Sequence, residues 1–290
     1  MEKPAMQYEV LKWASLFLEK HHREPYVAEL LLQHHLQQER AAFYANMREL
    51  VPADVVERWK ADVIKHAQTG IPIQHIIGEA DFYGRSFQVN DQVLIPRMET
   101  EELVERVIAY ATSRFSTDER FTLVDVGTGS GIIAITLALE LPQATVYAVD
   151  ISESALEVAS FNAKRLGADC TFLLGNFLEP IAAIGEKMQI IVSNPPYIAK
   201  TERDALADTV RDFDPELALF AADNGLAAYK KISTQVPQVL AKDGAVFLEI
   251  GMSQGPAVQE LLTKSLPNHK TKVHQDINGK DRMVSSTPII

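Results

Sequence analysis

This sequence predicts an α/β domain on a largely parallel sheet, preceded by a small helical bundle. Three observations predict it. As far as about Gly70, apolar residues recur at helical spacing, with no strand-like alternation and no glycine-rich loop. From Phe121 onward, short apolar runs alternate with helical segments, which gives a sheet covered by helices on both faces. The first of those runs, Phe121–Val126, passes through Gly127-Thr128-Gly129-Ser130-Gly131 into the helical stretch Ile132–Leu139. That order of strand, glycine loop and helix lets a ligand lie against bare backbone.

Four helices are expected in the first part. Their apolar positions are Tyr8, Leu11, Ala14, Leu16 and Leu18; Tyr26, Leu30, Leu31 and His34; Phe43, Met47 and Leu50; and Val55, Trp59, Val63 and Ile64. His21-His22 and His34-His35 are adjacent pairs, and adjacent helix positions point about 100° apart, so both read as solvated or packed histidines, not metal ligands. Phe82, Phe87, Val89, Val93 and Ile95 flank Asn90-Asp91, which reads as the turn of a hairpin ended by Pro96 and Arg97. Glu99, Glu101 and Glu102 suit the first turn of a helix through Leu103, Val104, Val107 and Ile108. Strands are expected at Phe121–Val126, Thr145–Val149, Cys170–Leu174, Ile190–Ser193, Ala245–Ile250, Lys272–Asp276 and Met283–Ser286. The division that follows is a helical domain over 1–78, a hairpin linker over 79–98 and an α/β domain over 99–290.

The 290 residues are 47% hydrophobic, ample for a core, and 23% charged. Against 39 Asp and Glu stand 28 Lys and Arg, a net charge of -11 with no basic run, so no direct nucleic-acid partner is expected. The single cysteine, Cys170, rules out an internal disulfide and zinc-knuckle spacing, and reads as a small apolar core residue. Met1-Glu2-Lys3-Pro4 leads into a mixed polar segment without a signal core, and no uncharged apolar stretch reaches the ~20 residues that span a bilayer. The expectation is a cytoplasmic protein, off the membrane, with nothing that demands more than a monomer.

Gly127, Gly129 and Gly131 give G-x-G-x-G, not the dinucleotide G-x-G-x-x-G, and the Lys-Ser/Thr pair of a P-loop is missing. The next strand ends in Asp150, placed to accept both hydroxyls of a ribose. Ser154 and Glu157 have capping-box spacing, and Gly167 closes that helix. A glycine loop and a ribose acid without phosphate-binding residues point to a phosphate-free adenosine such as S-adenosyl-L-methionine. Phe177, after the third strand, reads either as a stacking face for the adenine or as a core phenylalanine. The fourth strand runs into Asn194-Pro195-Pro196-Tyr197, two prolines where a strand must stop. That rigid loop carries an asparagine acceptor, carbonyls without a competing N–H and a flat aromatic ring, a set suited to gripping one planar NH2 group, of an amide or a nucleobase.

Together these residues resemble the protein-(glutamine-N5) methyltransferases that modify peptide chain release factors, the PrmC/HemK family. The likeness covers nearly the whole chain. It includes Pro72-Ile73-Gln74-His75-Ile76-Ile77-Gly78, Phe82-Tyr83-Gly84, Leu94-Ile95-Pro96-Arg97-Met98-Glu99-Thr100-Glu101, Glu249-Ile250-Gly251 with Gln254-Gly255, and Asp276 with Asp281-Arg282. The departures are Met98 where proline is usual, Asp214-Pro215 where Glu-Pro is usual, and Phe177 where the family also has tryptophan. The resemblance implies a Rossmann-like class I S-adenosylmethionine-dependent methyltransferase domain with a mostly parallel seven-stranded sheet. It implies cofactor contacts at Gly127, Thr128, Gly129, Ser130, Gly131, Asp150, Phe177 and Asn194, and substrate contacts at Asn194, Pro195, Pro196 and Tyr197. It also implies class 1 release factors as protein substrates, methylated on the glutamine of a Gly-Gly-Gln motif, with S-adenosyl-L-homocysteine as product and no metal.

In the chemistry expected, the Asn194 side-chain oxygen and the Pro195 carbonyl accept the two N–H bonds of the target amide, Pro196 stiffens the loop and Tyr197 stacks on the amide. The principal rival is a nucleic-acid amino methyltransferase that would flip adenine or guanine onto Tyr197; the acidic balance argues against it. A non-catalytic binding module would not need the intact constellation, and a nicotinamide enzyme would need the other glycine spacing.

Overall fold

The computed structural model describes residues 5–289; Met1–Pro4, including the polar N-terminal stretch, and Ile290 lie outside the described residues. The chain divides into two compact units, Met1–Gly78 with Ala207–Phe213, and Glu79–Leu206 with Asp214–Ile290.

The helical unit holds α1 (Gln7–Lys20), α2 (Tyr26–Leu36), α3 (Arg40–Ala45), α4 (Ala53–Thr69), α5 (Ile73–Ile77) and the short helix Asp208–Arg211. Its core gathers Val10, Ala14, Leu18, Leu31, Leu32, Phe43, Val55, Trp59 and Val63. The buried face of α1 repeats every four residues, through Val10, Ala14 and Leu18; Tyr8 and Leu16 fall off that stripe and are exposed, contrary to the apolar face expected. Trp59 is fully buried, and its indole N–H donates to the Ala28 carbonyl at 2.9 Å. The segment 207–213 is held by a bidentate pair, Arg23 Nη1 and Nη2 to the Asp208 carboxylate at 2.8 and 2.7 Å.

The sheet unit contains β1 (Glu79–Phe82), β2 (Arg85–Gln88), α6 (Met98–Arg114), β3 (Phe121–Val126), α7 (Ile132–Glu140), β4 (Ala144–Asp150), α8 (Glu153–Leu166), β5 (Cys170–Leu174), α9 (Glu179–Ile184) and β6 (Met188–Ser193). There follow β7 (Ile198–Ala199), α10 (the Asp208–Arg211 helix of the other unit), α11 (Glu216–Leu219), β8 (Phe220–Ala221), α12 (Ala227–Val239), β9 (Leu240–Glu249), α13 (Gly255–Ser265), β10 (His269–Gln275) and β11 (Asp281–Pro288). Seven strands form one sheet in the order β10-β11-β9-β6-β3-β4-β5, parallel from β9 to β5, with β11 antiparallel to both of its neighbours. The central strands are continuous apolar runs because both faces are covered. Leu123, Ile190 and Val192 point into one core with α6 and α7, whereas Val124, Val126 and Ile191 point into the other with α12 and α13.

Two local expectations are corrected. The hairpin turns at Tyr83-Gly84, not Asn90-Asp91: Phe82 pairs with Arg85, and both turn residues have positive φ (50° and 70°), the two-residue geometry that follows strand twist. The Asn90 side chain instead accepts from Gln92 N at 3.0 Å, a local turn, while Val89, Val93 and Ile95 pack with Ala155 and Val158. The N-cap of α8 is Ser152, whose hydroxyl accepts from Ala155 N at 3.2 Å, not Ser154. Gly167, at φ 73°, closes the helix.

Candidate active site

The chain lays β3, β4 and β5 to one side and then returns to place β6 on the other side of β3. At such a reversal the carboxyl ends of the strands diverge and leave a crevice. A cavity of about 400 Å3 opens there. Its walls are Gly127–Ser130 after β3, Ile132 and Ile133 of α7, Val149–Ser152 at the end of β4, and Gly175–Phe177 after β5. Ala155 of α8, Asn194 and Pro196 after β6, the stretch Gln92–Arg97, Thr100 of α6, and Pro215, Leu217 and Ala218 complete it.

The glycine loop folds onto β4, with Gly127 N and Thr128 N both donating to the Val149 carbonyl, at 2.8 and 3.0 Å. Gly131 has φ 86°, and a Cβ there would lie 2.7 Å from Ile135 Cδ1 and 3.1 Å from Ala159 Cβ, so only glycine lets α7 and α8 close on the loop. Beneath the loop, the Oδ2 of buried Asp125 accepts from Thr128 Oγ1 at 2.7 Å and Ala134 N at 3.2 Å. Burial outweighs those bonds and pushes its carboxyl up to about 7. Asp125 Oδ1 and Ser130 Oγ are buried without a hydrogen-bond partner among the described residues.

Asp150 is aimed by backbone amides: Oδ2 accepts from Gly129 N and Oδ1 from Ser152 N, both at 2.9 Å. Each oxygen keeps a lone pair for a ligand. Phe177 reaches the wall from the left-handed region, φ 54°, an uncommon backbone for an aromatic residue. Asn194 Nδ2 donates to Thr100 Oγ1 at 3.1 Å, and Thr100 Oγ1 donates to Glu249 Oε2 at 2.8 Å. Burial pushes the Glu249 carboxyl up to about 7, against the Thr100 hydrogen bond and the Arg282 charge. At the rim, Arg97 Nη2 pairs with Asp214 Oδ2 at 2.7 Å; burial raises the Asp214 pKa and the guanidinium opposes it.

Gly127, Thr128, Gly129, Ser130, Asp150, Phe177, Asn194 and Pro196 therefore share one cavity, whereas Gly131, Pro195 and Tyr197 do not line it. Pro195 is buried. Tyr197 packs against an apolar cluster, its carbonyl accepts from Gln254 Nε2 at 2.9 Å, and burial pushes its phenol up to about 12, so the ring stays neutral. Sequence reasoning gave no role to Asp125, Thr100 or Glu249. The signal for Asp125 and Glu249 was a carboxylate inside or ending an apolar strand, Leu123-Val124-Asp125-Val126 and Phe247-Leu248-Glu249, whereas Thr100, on a helix, carried none.

Comparison with known proteins gives the following. A family model described as the PrmC N-terminal domain matches residues 9–78, and one described as a methyltransferase domain matches residues 117–283. The release factor glutamine methyltransferase of Bacillus subtilis strain 168 is 47% identical over 96% of each chain. That of Bacillus anthracis is 45% identical over 96% of this chain and 97% of its own, and that of Enterococcus faecalis 42% over 95% and 97%. Among solved structures, a methyltransferase from Pyrococcus furiosus aligns with TM-score 0.50 at 14% identity, covering 80% of this chain and 98% of its own, a likeness of fold. Among the described residues no helix is long and apolar enough to cross a membrane.

Proposed function

This chain belongs to the family of release factor glutamine methyltransferases, S-adenosylmethionine-dependent enzymes, and we propose that it methylates the side-chain N5 of the glutamine in the Gly-Gly-Gln motif of class 1 peptide chain release factors. The observation that carries this reading is the presence, on one cavity, of a ribose-type acid and a glycine loop on one side and Asn194 and Pro196 on the other.

The residues fit the cofactor. Asp150 has acceptor capacity turned to a cavity of about 400 Å3, Ser130 Oγ is an unpartnered buried hydroxyl, and the loop exposes backbone. We assign Asp150 to the ribose hydroxyls, Phe177 to the adenine face, and Gly127 to Gly131 to the close approach of backbone, Gly131 by packing. When bound, S-adenosyl-L-methionine supplies an electrophilic methyl carbon on a sulfonium. The amide nitrogen is a poor nucleophile, so in-line positioning supplies much of the catalysis. Asn194 Oδ1 and the Pro195 carbonyl accept the two N–H groups, and both contacts strengthen as positive charge grows on nitrogen. Each is worth about 3 kcal/mol by analogy with oxyanion-hole donors. As the N–C bond forms, the C–S bond would break to leave the thioether S-adenosyl-L-homocysteine, and one of the amide's own two protons leaves to water. Pro196 keeps the loop rigid. Tyr197 does not line the cavity and packs against the apolar core, so stacking on the amide is not assigned to it. The helical unit is assigned to docking the body of the release factor.

The test is incubation with labelled S-adenosylmethionine and purified release factor, followed by peptide mapping. Label on the Gly-Gly-Gln glutamine supports the reading. Label in RNA or DNA, with none in the release factor, overturns it.

A further inference from the structure

Three elements meet at the grip. Ser193 of β6 pairs with Leu248 of β9, so the next residues along each strand, Asn194 and Glu249, lie side by side at the carboxyl edge, and α6 brings Thr100 to both. Thr100 and Glu249 are each 1% exposed. The β9 side is anchored by the Tyr229 hydroxyl, which donates to the Glu249 main-chain carbonyl at 2.8 Å.

An asparagine amide has two nearly isosteric orientations, and only one presents oxygen to a ligand. Nothing in the shape of the pocket chooses between them; the polarity of the neighbours does. Above its raised pKa Glu249 is a carboxylate and can only accept, so the single Thr100 proton points to its Oε2. Thr100 Oγ1 then has only lone pairs left, and Asn194 must meet it with Nδ2. The chain of bonds therefore runs one way, from amide N–H to hydroxyl to carboxylate. Oδ1 is the atom left for the cavity. The flipped amide would set Oδ1 against the Thr100 lone pairs and turn N–H groups toward the N–H groups of the substrate.

We propose that Thr100 and Glu249 are positioning residues for methyl transfer: together they fix the orientation of the Asn194 amide so that its oxygen faces the incoming glutamine. This rests on the assignment of Asn194 as the amide grip. It gives a reason for a wholly buried carboxylate beside a reaction that needs no base.

The experiment compares wild type, Thr100→Val, Thr100→Ser and Glu249→Gln, each with purified release factor and labelled S-adenosylmethionine. Thr100→Val keeps the shape of threonine and removes the relay. It is expected to lower kcat at least tenfold, while the Kd for S-adenosylmethionine, by calorimetry, stays within about twofold. Thr100→Ser is expected to restore kcat to within a few-fold of wild type. Glu249→Gln can either accept or donate and no longer enforces one direction. It is expected to lower kcat while the melting temperature holds or rises, a combination that a purely structural carboxylate would not give. Wild-type kcat in folded Thr100→Val overturns the assignment. If Thr100→Val does not fold, wild-type kcat in Glu249→Gln does so. A wild-type enzyme that labels nothing in the release factor overturns the proposed reaction, and this assignment with it.

Discussion

In the helical unit the buried polar side chains each find a backbone carbonyl. Gln7 Nε2 donates to Phe43 O at 2.9 Å, and the His66 ring, its pKa pushed down by burial, sits 2.7 Å from Ile71 O. In the sheet unit the buried groups include four carboxylates, Asp125, Asp214, Glu249 and Asp276, and among the described residues no buried carboxylate lies in the other unit. Asp276 is the ordinary one: the amides of Asn278 and Lys280 and the Arg282 guanidinium hold its pKa down. The other three are raised by burial, and all three touch residues of one cavity. A carboxylate buried with partial compensation costs stability. The contrast teaches that the helical unit meets its buried polarity with backbone carbonyls, whereas three buried carboxylates of the sheet unit stand against one cavity.

The largest effect that tests this contrast is on the helical side. Trp59→Ala removes a fully buried ring and its bond to Ala28, and should destabilise the helical unit by about 3–5 kcal/mol, measured by denaturant unfolding. The affinity for S-adenosylmethionine should not change, and methylation of a short Gly-Gly-Gln peptide should suffer less than that of the intact release factor. Equal loss on both substrates would remove the docking assignment.

On the sheet side, Asn194→Ala should do the reverse. The expected loss is roughly 10^2-fold to 10^3-fold in kcat, about 3–4 kcal/mol in the barrier, with little change in melting temperature and a few-fold change at most in cofactor affinity. Activity within a few-fold of wild type would count against the grip. Smaller again is Asp150→Ala, which removes a ligand acceptor along with its bonds to Gly129 and Ser152. Cofactor binding should weaken by about 1.5–3 kcal/mol in calorimetry, with saturating-cofactor kcat much less affected. A drop in kcat alone would move Asp150 from the ribose to the chemistry.

The same contrast decides what the sequence could reveal. All seven strands of the large sheet were legible, the central ones because a strand buried on both faces is a bare apolar run such as Ile190-Ile191-Val192. The glycine loop, Asp150 and Asn194 were legible because each follows such a run, and the topology then brings them to one edge. The hairpin turn was misplaced because Tyr83 in a left-handed conformation leaves no compositional trace, while Asn90-Asp91 looks like a turn and is one, of another kind. Pairs such as Arg97 with Asp214, 117 residues apart, or Thr100 with Glu249, 149 apart, have no spacing signature. Only the packing of α6 against the sheet edge makes them neighbours.

The finest test concerns Asp125, which supports the cavity without lining it. Its carboxyl is raised from an ordinary 3.8 to about 7 by burial. Below about pH 3 the group is neutral in the folded and unfolded chain alike, and carries no penalty. As pH rises toward 7 the unfolded chain ionises freely and the folded chain resists, so the stability this group contributes at low pH is progressively lost. Asp125→Asn keeps an acceptor for Thr128 and Ala134 and cannot ionise. The melting temperature of the variant minus that of wild type should therefore become more positive between pH 4 and pH 8, by on the order of 10 °C at roughly 2–4 °C per kcal/mol. The sign distinguishes this carboxylate from one like Asp276, whose lowered pKa makes it stabilising as pH rises. A difference that stays flat with pH would mean that Asp125 ionises in the folded chain as easily as in the unfolded one. The sheet unit would then bury its carboxylates no more expensively than the helical unit buries Gln7.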